Sequence, residues 1–93
     1  MEIEFDPDKD RINREKHGIS LSESARIDID AAFIVPDRRR SYGETRAQAY
    51  CLIDGRLHVL AYTMRGSVLR AISLRKANRR EVNHYGQQVR RSR

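Results

Sequence analysis

The chain has 93 residues, 39% hydrophobic and 34% charged, with 19 Lys/Arg against 13 Asp/Glu and a formal net charge of +6. That length suits one domain with a modest core. The lone cysteine, Cys51, excludes an intramolecular disulfide and a cysteine-rich zinc site, and no apolar run approaches the ~20 residues of a membrane span.

The charge is unevenly divided. From Arg46 to Arg93 eleven Lys/Arg stand against two acids, whereas from Met1 to Thr45 eight stand against eleven. Ten of the eleven basic residues in the second half are arginine, whose planar fork binds phosphate bidentately and stays charged. The pattern predicts a polyanionic partner, nucleic acid above all. A solvated basic surface covered by an acidic partner protein is the alternative. The acidic start, Met1 to Asp6, lacks the apolar run of a signal peptide, so a cytoplasmic protein is expected.

In chain order, Ile3 and Phe5 alternate with acids and predict a short strand. Asp6-Pro7 predicts a helix start, with Asp6 as N-cap, and Gly18 predicts its end after His17. Ser20 and Glu23 have capping-box spacing, and Leu21, Ala25, Ile29 and Ala32 recur at helical intervals, so a second helix is expected there. Phe33 to Pro36 reads as a strand, at an edge or near its end because of the proline. Residues 37–44 form a loop carrying Arg38-Arg39-Arg40. Arg46 to Ile53 and Arg56 to Met64 flank Asp54-Gly55, a hairpin signal, and Arg65-Gly66 predicts a second turn before a strand over Ser67 to Arg75. Asn78 and Glu81 open a last helix bearing Val82, Tyr85 and Val89, with a basic, frayed tail at about 87–93.

The expected order is therefore β-α-α-β-β-β-β-α in one domain over 1–93. The expected fold is α+β, with two N-terminal helices on a curved, mainly antiparallel sheet and a C-terminal helix. Two-residue turns at 54–55 and 65–66 place Tyr50, Leu52, Leu57, Val59, Ala61, Val68, Ile72 and Leu74 on one face, as core. The other face then holds Ala47, Ala49, Cys51, His58, Leu60, Tyr62, Ser73 and Arg75, small and polar groups suited to a ligand. A longer turn at either place changes this assignment.

Several segments together resemble the BrnT family of ribonuclease toxins of type II toxin–antitoxin systems. They are Phe5-Asp6-Pro7-Asp8-Lys9, Asn13, Lys16-His17-Gly18-Ile19-Ser20, Gly43-Glu44-Thr45-Arg46 and Asp54-Gly55-Arg56-Leu57. Tyr62 to Gly66, Arg70 to Ala77, Glu81 and Tyr85 complete the set. Phe5 stands where the family often has Trp, and Cys51 where it often has Gly, which puts substrate fit near Cys51 in question. The resemblance implies a RelE-like fold, RNA cleavage and arrest of translation. It also implies neutralisation by a BrnA-type antitoxin that carries the operator-DNA-binding element, in a heterotetrameric complex. No cofactor, metal or membrane is expected. The competing reading is a non-catalytic basic nucleic-acid-binding module, or an inactive toxin homologue.

Metal-independent RNA cleavage uses the 2′-hydroxyl as nucleophile, so the protein must move two protons and stabilise charge on phosphorus. The candidate catalytic residues are Arg75, Arg65, Glu44, Arg46 and His17. Arg75 heads them as the phosphate-stabilising cation, with an ion pair to Glu81 as its structural alternative. Glu44 beside Arg46 reads equally as base plus cation or as an exposed ion pair. His17 suits acid–base work by its ordinary pKa, but a cation at a helix C-terminus also has a structural use. Candidate RNA contacts are Lys16, Arg38, Arg39, Arg40, Arg70, Lys76, Arg79, Arg80 and Tyr85. For the arginine runs the alternative is solvation, and for Tyr85 a place in the core. Cys51 reads as packing.

Overall fold

The computed structural model describes residues 1–38 and 44–91. The elements are β1 (Ile3–Glu4), α1 (Pro7–His17), two 3-10 turns (Leu21–Arg26 and Ile29–Ala31), β2 (Phe33–Asp37), β3 (Arg46–Ile53), β4 (Arg56–Arg65), β5 (Val68–Lys76) and α2 (Arg79–Arg91). The strands form one sheet in the order β1-β5-β4-β3-β2, antiparallel except where β1 runs parallel to β5. The α+β expectation therefore holds. β2, with Pro36, is an edge strand, as a proline without an N–H donor requires.

Local chemistry sets most boundaries. The Asp6 carboxylate accepts from Asp8 N at 2.8 Å, Pro7 occupies the first turn of α1, and Gly18 closes the helix at φ 72°, its N–H on Arg14 O at 2.8 Å. Asn78 and Glu81 form a reciprocal capping box: Glu81 N donates to Asn78 Oδ1 at 2.8 Å and Asn78 N to Glu81 Oε1 at 3.0 Å. Asp54 and Gly55 both have positive φ, 52° and 77°, matching the sense of turn that continues strand twist in a two-residue hairpin. α2 continues through Gly86 to Arg91, across the first part of the segment read as a tail.

The expected second helix is the first correction. It is two short 3-10 turns, broken by extended residues at Ile27 and Asp28. Ser20 does not complete a capping box. Its hydroxyl donates to Asp10 Oδ1 at 2.9 Å and accepts from Ser22 N, while Asp28 starts a fresh cap on Asp30 N. Short polar side chains that offer the backbone local bonds compete with helix propagation, and β-branched Ile27 and Ile29 favour extension.

The second correction is the face of β5. The turn before it falls at Gly66-Ser67, with Arg65 opposite Val68. Tyr62 then pairs with Ala71 but Ala61 with Ser73, a β-bulge that leaves Ile72 without a partner. One extra residue reverses the side-chain alternation beyond it. Leu74 joins Leu60 in the core, while Ser73 and Arg75 join Ala61 and Val59. The face expected to meet a ligand is instead the main core. Leu21, Ala49, Ile53, Leu60, Tyr62, Leu69, Ala71 and Leu74 are buried there, under Phe5, Ile19, Ile27 and Ile29. On the other face α2 covers only the β2–β3 side, burying Tyr50, Leu57, Val59 and Val89. Among the described residues, α2 leaves the rest of that face open.

Candidate functional site

The open face has one concave end. A cleft of about 370 Å³ lies between α1 and the sheet, lined by Lys9, Ile12, Lys16 and His17 from the helix and by Gln48, Ala61, Ser73 and Arg75 from the strands. The basic side chains recur at Lys9, Lys16 and His17, about two helical turns apart, so they share a side of α1. The strand floor mixes polar Gln48 and Ser73 with apolar Val59, Ala61 and Ile72, Gln48 and Ala61 lying opposite one another.

A single residue joins the two walls. Asn13 is 4% exposed. Its Nδ2 donates to Leu74 O at 2.9 Å and to Ile19 O at 2.8 Å, and its Oδ1 accepts from Leu74 N at 3.0 Å. β1 pairs with β5 only at Leu69 and Arg70. Beyond that point the Asn13 amide takes the place of a strand neighbour, satisfying both backbone groups of Leu74. Buried backbone polar groups require such partners. Asn13 thus fixes α1 against the strand residue next to Arg75. It stood in the sequence pattern without a role, as did Lys9, and Gln48 lay outside that pattern.

Arg75 and Glu81 form a two-pronged ion pair at 2.7 and 2.8 Å, the structural partner anticipated for Arg75. Glu81 also caps α2, so one carboxylate orients the guanidinium and anchors the helix. The hydrogen bond from Arg75 lowers the Glu81 pKa; burial opposes that shift without cancelling it. His17 is lowered from its ordinary value, first by burial and then by the charges of Lys16 and Arg75. Its imidazole is therefore neutral at pH 7, the form that accepts a proton. Next to this group Tyr50 donates to Gln48 Oε1 at 3.1 Å, and its hydroxyl is pushed up to about 12, mainly by burial.

The other predicted residues divide. Glu44 joins two arginines, with Arg46 Nε at 3.4 Å and Arg65 Nη2 at 3.8 Å. This second cluster lies at the far end of the open face. Arg75 is level with Val59 and Arg65 lies six residues further along β4, about 20 Å at strand rise. Arg65 and Arg75 are thus not placed around one phosphate. Arg70 shares the face between them and pairs with Glu4 at 3.2 Å. Lys76 falls on the opposite face, in register with His58. Arg79 and Arg80 are exposed on the outer side of α2 beside Asn83 and His84. Tyr85 is half-buried, stacked on Tyr50 with centroids 3.9 Å apart and tilted against Phe33 at 5.5 Å. Arg38 is exposed after β2, while Arg39 and Arg40 lie outside the described residues.

Cys51 is 2% exposed on the core face, its thiol pushed up to about 12 by burial. It lies on the face away from the cleft. His58, 5% exposed, bonds through Nδ1 to Arg56 O at 2.8 Å on that same core face. Among the described residues no group of three or more His, Cys, Asp or Glu is arranged to hold a metal ion, and no helix is long and apolar enough to cross a membrane.

A family model described as ribonuclease toxin, BrnT, of type II toxin-antitoxin system covers residues 5–81, more than half of the chain. No curated protein matches the chain.

Proposed function

The chain belongs to the BrnT family of ribonuclease toxins of type II toxin–antitoxin systems, and from that premise we propose that it is a metal-independent endoribonuclease whose scissile phosphate sits in the cleft between α1 and β5. The observation that supports this reading is the meeting of the adjacent Lys16 and His17 with the sequence-distant Arg75 in one concave site.

In this mechanism neutral His17 takes the proton of the RNA 2′-hydroxyl. The 2′-oxygen attacks the adjacent phosphorus, and the bond to the 5′-oxygen breaks. Arg75, aimed by Glu81, stabilises the charge that develops on the phosphorane, the kind of electrostatic contribution that dominates many such sites. Lys16 supplies a positive charge, and a proton, on the side of the leaving 5′-oxygen. The products carry a 2′,3′-cyclic phosphate and a 5′-hydroxyl. Arg38, Arg39, Arg40, Arg79 and Arg80 add sequence-independent attraction to the polyanion.

The same reading takes the fold as RelE-like, the domain as the whole of residues 1–93 and the site of action as the cytoplasm. Its partner is a BrnA-type antitoxin that occludes the basic face within a heterotetramer and carries the contact with operator DNA. The test is incubation of the purified chain with RNA in EDTA, followed by analysis of the product ends. Cleavage with the stated ends supports the mechanism; cleavage that disappears in EDTA and returns with magnesium overturns it. Added antitoxin should abolish the activity.

A further inference from the structure

Four of the five arginines on β3, β4 and β5 share the open face: Arg46, Arg65, Arg70 and Arg75. Only Arg56, at the β3–β4 turn, does not. The bulge at Ile72 is what makes this possible, because it brings Arg75 to the face that Arg70 already occupies. Each of the four is held by a carboxylate: Arg75 by Glu81, Arg70 by Glu4, and Arg46 and Arg65 by Glu44. Between the two ends lie short side chains, Ala61 and Ser73, directly opposite one another.

We propose that this face is a track for extended single-stranded RNA, with the Glu44–Arg46–Arg65 cluster as a remote phosphate-binding subsite that positions the strand for cleavage beside Arg75. The proposal rests on the reading of the α1–β5 cleft as the cleavage site and adds to it a substrate requirement. The separation of about 20 Å between the two ends exceeds the reach of one nucleotide; at about 3.4 Å per stacked nucleotide it corresponds to roughly six, and an extended strand spans it with fewer. The short side chains of Ala61 and Ser73 let the strand lie close to the sheet. A dinucleotide fills the cleft alone, and an octanucleotide engages both ends. The subsite contributes binding, not chemistry, so its effect belongs in KM.

The experiment compares cleavage of a dinucleotide and a single-stranded RNA octanucleotide by the wild type and by Arg65→Ala. The wild type should prefer the octanucleotide by at least about tenfold in kcat/KM, as one lost charge-assisted contact implies. Arg65→Ala should erase most of that preference through KM. A parallel titration uses fluorescent DNA oligonucleotides of two and eight residues, which lack the 2′-hydroxyl and are not cleaved. There Arg65→Ala should weaken the longer probe about tenfold and lower the magnitude of its salt slope by about 0.7, the share of one phosphate on a single strand. Equal efficiency on both RNA lengths, or an Arg65→Ala loss that falls on kcat, overturns the track. If the wild type cleaves no RNA, the DNA titration still decides: length-dependent, Arg65-sensitive binding keeps the track and discards the cleavage mechanism, and length-independent binding discards the track.

Discussion

Arg70 and Arg75 lie five residues apart on β5 and yet share a face of the sheet, because the β-bulge leaves Ile72 unpaired between them. In a regular strand an odd separation puts two side chains on opposite faces. Here that rule would have sent Arg75 into the core beneath the 3-10 turns. The bulge sends Leu74 there instead, fully buried, and leaves the arginine beside the cleft.

Arg75→Ala should therefore remove activity without unfolding the chain. The expected loss is roughly 10²–10³ in kcat, the usual effect of deleting one preorganised donor. Arg75→Lys should recover little, since an ammonium cannot reproduce the two-pronged bond to Glu81. Single-turnover cleavage alongside a thermal melt separates the two effects. A folded Arg75→Ala protein with wild-type kcat would remove this residue from the mechanism.

Much of this was legible from local signals. Asp6-Pro7 and Gly18 bracket α1, Asp54-Gly55 sets the first hairpin, and Asn78 with Glu81 caps α2, each through a bond between near neighbours in sequence. Hairpin register followed, so the residues of β3 and β4 that share a face were grouped correctly, although the face assigned to a ligand is the main core. What failed depends on contacts distant in sequence. The bulge lies beside Leu74, whose backbone is held by Asn13, 61 residues away, and no periodicity in β5 announces it. The helix expected after Ser20 is capped there but breaks at the extended residues Ile27 and Asp28, where Asp28 starts a fresh cap. His17, Lys16 and Arg75 were each singled out, but their meeting required the position of α1, which again rests on Asn13.

Asn13→Ala should be among the most destabilising single changes away from the apolar core. It strands the N–H and C=O of Leu74, and each unsatisfied buried group costs about 1–3 kcal/mol, so roughly 2–6 kcal/mol is expected. Asn13→Asp keeps an acceptor for Leu74 N but sets a charge against the carbonyls of Leu74 and Ile19, and should not rescue it. Urea unfolding measures both. A cost under about 0.5 kcal/mol for Asn13→Ala would mean that α1 docks by other contacts.

His17 gives a pH dependence of defined sign. Its pKa in the folded chain lies below the ordinary 6.5, by burial first and by Lys16 and Arg75 next. The unfolded chain therefore takes up this proton at higher pH than the folded one, so stability drops as pH falls from about 6.5 through the folded pKa. Activity should rise through that same lowered pKa and then level off, because the neutral ring is the base. NMR titration of the imidazole should give a midpoint matching the kinetic one. In Arg75→Ala that midpoint should move up towards 6.5, since one repelling charge is gone. Mismatched midpoints would exclude His17 as the base.

Cys51 should behave as a core residue. With its thiol pushed up to about 12 and 2% exposed, almost no thiolate exists at pH 8. Labelling by a disulfide reagent should proceed only as fast as the fold opens. Cys51→Gly introduces a flexible residue and a small cavity, and should cost at least about 1 kcal/mol with no gain in activity. A large gain in cleavage rate for Cys51→Gly would show instead that the position influences the substrate through the sheet.

Glu44 separates two roles by the sign of a single effect. As a general base it would have to reach the scissile 2′-hydroxyl, yet its partners Arg46 and Arg65 mark the end of the face remote from Arg75. As a holder of arginines it lowers positive charge exactly where a phosphate would bind, at modest benefit to stability because the pairs are partly exposed. Glu44→Gln keeps the shape, removes one negative charge and releases two guanidinium groups. RNA affinity should then rise by a few-fold at low salt, and the gain should shrink as salt screens it over a Debye length of about 8–10 Å. The rate at saturating RNA should remain near that of the wild type. A fall in that rate of 10²-fold or more, the usual mark of a lost acid–base group, would instead make Glu44 part of the chemistry and place the scissile phosphate at its end of the face.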